Sequence, residues 1–108
     1  MKIITSWDDG RIQDLRLAKL LLQYKIPAIF YIPTNCDLTE RDIKLIALGF
    51  EIGGHTATHP MDMKLLTVEQ IESEVESNKL WLEGITGRTV NSFCYPRGRY
   101  DDRVIAAL

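Results

Sequence analysis

The sequence has few cysteines, no long hydrophobic run and no excess of basic residues. Its two cysteines, Cys36 and Cys94, lie far apart in a chain of 108 residues and form neither a C-x-x-C pair nor a disulfide or zinc-finger pattern. No apolar stretch approaches the length of a membrane span, so we expect none. The net charge of −2, without a basic stripe, argues against nucleic acid as a partner.

The N-terminus also lacks the pattern of a secretory signal peptide. It reads MKIITSW, with one lysine and a short apolar stretch that leads directly into polar residues. The compartment is therefore unknown from the sequence. We take it as cytoplasmic by default, and as extracytoplasmic if a leader has been removed.

The composition is that of one globular domain. Hydrophobic residues make up 45% of the chain and charged residues 26%, which is the usual balance for a globular protein. A chain of this length holds a single small core, so residues 1–108 are treated as one domain.

Strand-like and helix-like segments alternate along the chain. Four short apolar segments predict strands, and the segments between them carry the signals of helix starts and ends. This alternation predicts an α/β fold whose parallel strands are joined by helical crossovers. The predicted strands are KIITSW, AIFYI, FEIGG and TVNSFCYP; the predicted helices are 13–24, one after Thr39 closed by Gly49, one from Thr67 to Gly84, and one that begins at Asp101.

The candidate functional residues fall at one end of the predicted sheet. Asp8 and Asp9 come after the first strand, His55 and His59 after the third, and Arg97 after the fourth. In parallel α/β sheets the working residues gather at the carboxyl ends of the strands. We therefore expect a site there.

The segment GGHTATHP contains the only two histidines of the chain, His55 and His59. A helical turn between them would point both imidazoles the same way, toward a shared ion. The alternative is a pair of polar surface histidines in a loop, and the spacing alone does not decide between the two.

A carboxylate from the first strand makes the metal interpretation more specific. One aspartate and two histidines, with one coordination position left open, form a pattern typical of catalytic metal sites. The second carboxylate is then free to act as a general base. Because adjacent strand residues point to opposite faces, we expect Asp8 and Asp9 to have separate roles.

Three segments together resemble the polysaccharide deacetylase family, carbohydrate esterase family four. SWDDG is similar to the first motif of the family, Thr-Phe-Asp-Asp-Gly, and HTATHP matches the second, His-Ser/Thr-x-x-His-Pro. FCYPRGRY is similar to the third motif in the branch that reads Tyr-Pro-x-Gly. The resemblance covers the whole chain but only the front part of the family domain. It implies a fold that is the first, truncated part of a distorted (β/α) barrel. The activity that it implies is the hydrolysis of N- or O-acetyl groups on a sugar polymer.

The resemblance also implies a role for each motif residue. Asp8 would be the catalytic base, acting on an acetylated carbohydrate substrate. Asp9, His55 and His59 would bind a divalent metal ion, usually zinc, that polarises the acetyl carbonyl.

The third motif is both informative and unusual. The backbone N–H of Arg97 would help to hold the oxyanion, with Tyr95 as a second candidate for substrate binding. The commoner form of this motif has an arginine that pairs with the base, and that position is Cys94 here. Arg97 would have to reach back to replace it, or is a solvated loop charge.

The late Leu-x-His motif that supplies the general acid of the family is absent from these 108 residues. We therefore expect a metal site without a complete active site, and little or no activity from this chain alone. A partial barrel also leaves sheet edges and apolar helix faces open, which predicts self-association.

Two other functions are compatible with the same residues. Some relatives of this superfamily act on small amides or cyclic imides rather than on polysaccharides. Alternatively, the chain is a non-catalytic metal- or sugar-binding module, or a relic of an enzyme, and the missing general acid favours that interpretation.

Overall fold

The computed structural model describes residues 1–108 and contains a small sheet covered by helices. The strands are β1 (Thr5–Asp8), β2 (Ala28–Ile32) and β3 (Glu51–Gly54). The helices are α1 (Asp14–Gln23), α2 (Glu40–Ala47), α3 (Val68–Thr86) and α4 (Asp102–Ala106), with single 3-10 turns at Met63–Leu65 and Pro96–Gly98.

The three strands are parallel and lie in the order β1-β2-β3. Phe30 in the central strand is level with Trp7 on one side and with Ile52 on the other. Helices α1 and α2 form the crossovers between consecutive strands. The predicted α/β class, with parallel strands and helical connections, is therefore confirmed.

The predicted fourth strand, TVNSFCYP, is wrong. This segment pairs with the sheet only at an isolated bridge between Gly54 and Phe93. Gly54 N donates to Ser92 O at 2.8 Å, and Cys94 N donates to Gly54 O at 2.9 Å. The pairing does not continue past Gly54: Thr56, whose N–H would be the next to face this segment, has a φ of 71° and turns the chain out of the sheet.

The core lies around β2 and the inner faces of the first three helices. Phe30 is fully buried and packs edge-on against Phe50, with ring centroids 5.3 Å apart. Strand β1 is different: it has a neighbour on one side only, and its residues are exposed or half-buried. The main cluster includes Ala18, Leu21, Phe30, Ile32, Ile43, Ile46, Ile52, Leu82 and Ile85.

The predicted helix starts at Thr39 and Thr67 are confirmed, and each residue forms a capping box, before α2 and before α3 respectively. The predicted end of α3 at Gly84 is wrong, because the helix continues to Thr86. Gly87, with a φ of 69°, makes the left-handed cap and donates its N–H to Glu83 O at 2.9 Å. A glycine within a helix is tolerated, whereas the left-handed cap position strongly favours one.

None of the four helices combines the length and the apolar character that crossing a bilayer requires. Several large apolar side chains are exposed, among them Ile3 and Ile4 before β1 and Leu48 after α2. Self-association through such surfaces stays a prediction.

The turn that follows β1 depends on Gly10. Its φ is +61°, and a Cβ at this position would lie 2.7 Å from the Cβ of Cys36. Gly87 has a similar φ of +69°, but a Cβ there would meet no atom within 4 Å. The two glycines therefore share the backbone cost of substitution and differ in the steric cost.

We predict that Gly10→Ala lowers the free energy of unfolding by about 2 kcal/mol more than Gly87→Ala does, because only the first creates a clash. Urea unfolding followed by circular dichroism measures the difference. Equal losses in the two variants would show that Cys36 moves aside without cost.

Candidate metal centre

The site lies at the carboxyl ends of the three parallel strands, as the motif positions predict. Strand β1 ends at Asp8, and the chain then turns through Asp9 and Gly10, which both have positive φ, 81° and 61°. Asp9 N donates to Tyr31 O at 3.2 Å, which holds the turn against the end of β2. This turn presents two adjacent carboxylates at one edge of the sheet.

Asp9, His55 and His59 come together in space. The Oδ1 atom of Asp9 lies 3.2 Å from Nε2 of His55 and 3.0 Å from Nε2 of His59. One donor atom from each of the three residues lies within 4.8 Å of the other two. His55 is buried, while the side chains of His59 and Asp9 are 24% and 41% exposed. One side of the cluster therefore faces the solvent.

The loop that carries the histidines contains no helical turn, contrary to the geometry considered from the sequence. Thr56 and His59 have positive φ values of 71° and 55°, so the backbone is left-handed at both positions rather than helical. Such conformations cost on the order of 1–2 kcal/mol for each non-glycine residue. Thr34 N donates to Thr56 O at 3.1 Å and Asn35 N donates to Ala57 O at 2.8 Å, so the segment that follows β2 supports the loop.

The hydrogen bonds of His55 favour a cation at the centre. Its Nδ1 lies 2.7 Å from the backbone oxygen of Cys94, which can only accept, so Nδ1 carries the hydrogen. In the neutral ring, Nε2 then presents a lone pair to Oδ1 of Asp9 at 3.2 Å. Two acceptors facing each other at this distance are stabilised by a positive charge between them. The donor set, two imidazoles and one carboxylate, is one that zinc favours.

Asp8 points to a different partner. Its Oδ2 lies 3.6 Å from Sγ of Cys94, which occupies the position of the arginine in the commoner third motif. Burial raises the pKa of the Cys94 thiol to about 11, with the negative charge of Asp8 as a further cause. The thiol is therefore protonated at neutral pH and can donate a weak hydrogen bond to the carboxylate. Arg97 forms no ion pair with Asp8, so it does not replace the missing arginine.

A cavity of about 620 Å³ opens in front of these residues. Asp8, Asp9, His55, His59 and Arg97 line it, together with several polar side chains that the sequence did not single out as site residues. These additional lining residues are Arg11, Asp37 and Thr58, and Asn35 lines the cavity as well. Arg11 follows the first motif directly, so its position in the sequence was the available signal.

Tyr95 does not line this cavity. Its ring stacks on Tyr100 with centroids 4.6 Å apart and meets Phe93 edge-on at 5.5 Å. It packs against the small apolar cluster formed by Met63, Ile71 and Val104. A role for Tyr95 in substrate binding has no support from this position.

Two residues of α3 were missed from the sequence although both contact the histidine loop. Asn78 is fully buried; it accepts a hydrogen bond from His55 N at 2.9 Å and donates to Ile32 O at 3.0 Å. Glu74 accepts hydrogen bonds from the middle of the loop. A signal existed for Asn78: it lies on the apolar side of the helix, seven residues after Ile71 and four before Leu82.

A third carboxyl group lies near the cluster, at the start of α1. Asp14 is only 7% exposed, and its Oδ2 has no hydrogen-bond partner. Burial, followed by the negative charge of Asp9, raises its pKa to about 6. Because the folded state favours the protonated form, Asp14 destabilises the fold increasingly as the pH rises from about 4 through about 6.

We predict that Asp14→Asn stabilises the metal-free chain at pH 8, by on the order of 2 kcal/mol, and by less than half as much at pH 4.5. The neutral amide removes the cost of ionising a buried carboxyl group. Urea unfolding at the two pH values, in the presence of a chelator, measures the effect.

Asp102→Asn is the matched control, because Asp102 is exposed in the first turn of α4. Its effect should stay within about 0.5 kcal/mol at both pH values. A stabilisation by Asp14→Asn that does not change with pH would contradict the prediction.

Solved structures with the same fold are found among deacetylases. One is a mutant of a Bacillus anthracis pseudoenzyme of carbohydrate esterase family four, with restored enzymatic activity: it is 25% identical, 98% of this chain aligns with 40% of that chain, and the TM-score is 0.88. A deacetylase solved with substrate is 28% identical, with 95% and 55% of the two chains aligned and a TM-score of 0.84.

A third similar structure, an acetyl xylan esterase from Clostridium thermocellum solved with a cobalt ion, is 22% identical, and this likeness concerns the fold alone. It aligns with 99% of this chain and 55% of its own, at a TM-score of 0.85. The chain thus spans 40% to 55% of the length of these three proteins. No curated protein matches the sequence.

The sequence was also compared with models of protein families. The polysaccharide deacetylase model matches residues 2–108, which is nearly the whole chain. The match includes the aspartate pair after β1, the histidine loop after β3 and the segment around Cys94. The chain belongs to the polysaccharide deacetylase family.

Proposed function

We propose that residues 1–108 supply the metal-binding and base-bearing part of a metal-dependent carbohydrate deacetylase. The observation that carries the proposal is the meeting of Asp9, His55 and His59 around one point at the mouth of the cavity. The lone pair that His55 presents to the Asp9 carboxylate supports a cation at that point.

Asp9, His55 and His59 would hold the ion, and zinc is the ion we propose. A bound divalent ion supplies Lewis-acid activation of water and of the acetyl carbonyl. His55 is fixed by its hydrogen bond to Cys94 O, so its Nε2 is oriented before the ion binds. His59 and Asp9 are partly exposed and form the open side, where water and substrate can approach.

Asp8 is the proposed general base. It lines the cavity beside Asp9, and its carboxylate accepts a weak hydrogen bond from Cys94 rather than a salt bridge. It would take a proton from the attacking water while the acetyl C–N or C–O bond is still intact. Arg97 lies in a left-handed turn at the rim, with a φ of 58°, and its backbone N–H is the proposed oxyanion donor.

The proposed substrate is an acetylated carbohydrate. Hydrolysis consumes one water and releases acetate, and the sugar amine or hydroxyl takes up a proton as it leaves. The chain has only two histidines, and both belong to the proposed ligand set. Within these residues, therefore, no histidine is free to deliver that proton.

A non-catalytic metal-binding module is the second candidate. Two observations favour it: the uncharged thiol of Cys94 beside Asp8, and the engagement of both histidines in the metal cluster. A pseudoenzyme is among the similar solved structures. The two candidates share the metal site and differ in catalysis.

We predict that the chelator-treated chain binds one zinc ion per molecule, and that Asp9→Asn or His59→Ala abolishes this binding. Binding should weaken as the pH falls, because a protonated imidazole cannot be a ligand. Titration against a chromophoric chelator, with elemental analysis of the loaded chain, measures the stoichiometry and the affinity.

Asp8→Asn is the matched control for Asp9→Asn, since it removes the neighbouring carboxylate outside the ligand set. It should retain zinc affinity within about threefold, a difference of less than 1 kcal/mol. Equal losses from both aspartate variants would contradict the assignment of separate roles.

We predict slow acetate release from acetylated chito-oligosaccharides or acetylated xylan by the zinc-loaded chain. The rate should lie on the order of a hundredfold or more below that of ordinary deacetylases, because neither histidine is free to protonate the leaving group. Asp8→Asn should abolish the release without loss of zinc. An enzymatic acetate assay makes the comparison.

Asp102→Asn, far along the chain in α4, should leave the slow rate unchanged. Zinc-loaded chain that releases no acetate would favour the non-catalytic module. Release at the rate of an ordinary deacetylase would show that another group protonates the leaving sugar.

A further inference from the structure

We propose that Glu74 is a positioning residue for the two histidines, acting through the loop backbone that joins them. The inference rests on the proposed metal-binding function, because its consequence is a change in metal affinity. Glu74 contacts neither histidine side chain and lies on α3, outside all three sequence motifs.

Both oxygens of the Glu74 carboxylate are used by the loop. Its Oε2 accepts from Ala57 N and from Thr58 N, each at 2.9 Å. Its Oε1 accepts from the Thr58 hydroxyl at 2.6 Å. Three donors of two consecutive residues therefore converge on one half-buried carboxylate, and hydrogen bonds to a carboxylate are among the stronger ones in proteins.

These bonds lie at the point where the loop needs support. Ala57 and Thr58 are flanked by Thr56 and His59, the two residues with positive φ. Thr56 is β-branched, which makes a left-handed backbone especially unfavourable. A backbone of this kind persists only where its surroundings hold it. The turn between Thr56 and His59 determines how far apart the two imidazoles lie.

Glu74 acts together with Asn78, one helical turn further along α3 on the same side of the helix. Asn78 holds the beginning of the loop through His55 N, and Glu74 holds its middle. One rigid helix thus fixes the loop at two points. Without the second point, the middle of the loop keeps only the bonds from Thr34 N and Asn35 N and its internal bond from His59 N to the Thr56 hydroxyl. The Nε2 atom of His59 is then freer to move away from Asp9.

A merely structural role for Glu74 would affect stability and leave the ligand geometry unchanged. The two roles are separated by the zinc affinity of the folded chain, measured beside its unfolding transition. Glu74→Gln is the conservative variant: one amide oxygen can accept from both backbone N–H groups, and the amide NH2 can donate to the Thr58 hydroxyl. Glu74→Ala removes all three bonds.

The experiment compares the zinc affinity of the full chain with that of Glu74→Gln, Glu74→Ala and the control Glu76→Ala. Glu76 is an exposed acid on the same helix, and its side chain makes no hydrogen bond in the structure. We expect Glu74→Ala to bind zinc about 10- to 100-fold more weakly, the usual effect of losing a partner behind the ligands. Glu74→Gln should stay within about fivefold, and Glu76→Ala should match the wild type.

Amide NMR shifts of Ala57 and Thr58 provide the direct readout, since both N–H groups lose their acceptor in Glu74→Ala. If Glu74→Ala does not fold, Thr58→Val tests the positioning role instead, because it removes only the hydroxyl bond to Oε1 of Glu74. We expect Thr58→Val to weaken zinc binding several-fold.

Wild-type affinity in folded Glu74→Ala, with those two amides shifted, would overturn the positioning role alone. Unchanged affinity in Thr58→Val, where that variant has to decide, would do the same. A wild-type chain that binds no zinc would instead overturn the proposed function and this inference with it.

Discussion

The buried amide of Asn78 connects the parts of this fold that the site requires. Its oxygen accepts from His55 N, and its nitrogen donates to Ile32 O and to the Thr34 hydroxyl. The side chain thereby joins α3 to the carboxyl ends of both β2 and β3. The pairing of β3 with β2 ends at Gly54 because the N–H of His55 donates to Asn78 instead. The histidine loop begins at this point. A hydrophobic residue at position 78 would leave two buried groups, His55 N and Ile32 O, without these partners, and would also remove the bond to the half-buried Thr34 hydroxyl.

The negative charges at this end of the sheet destabilise the folded state when no cation is bound. Asp8, Asp9 and Asp14 are close enough that the charges of the first two raise the pKa of the third. Two acceptors, on His55 and Asp9, face each other at 3.2 Å. A bound cation would relieve both costs at once, so the proposed metal binding would also stabilise the fold. Functional sites commonly contain interactions of this kind that lower the stability of the fold, and the packing of the surrounding core must offset them.

The sequence predicted the location of the site better than its construction. The parallel alternation of strands and helices placed the aspartate pair and the histidine pair at one edge, because all parallel strands end there. The positive φ of Thr56 was not predictable, since a β-branched residue disfavours that conformation and part of the support comes from α3. The fourth strand failed for a related reason: the left-handed turn at Thr56 that ends its pairing is supported by residues distant along the chain, such as Glu74, which accepts from Ala57 N.

The contact between Cys94 and Asp8 distinguishes this site from one with an arginine beside the base. A guanidinium would offset the charge of the carboxylate and orient it with two strong hydrogen bonds. The thiol does neither: it is neutral, its pKa is raised to about 11, and it donates one weak bond at 3.6 Å. Asp8 therefore depends on the turn at Asp9 and Gly10 for its orientation and on a bound cation for relief of its charge. In this chain the proposed base and the proposed metal site are consequently one electrostatic unit.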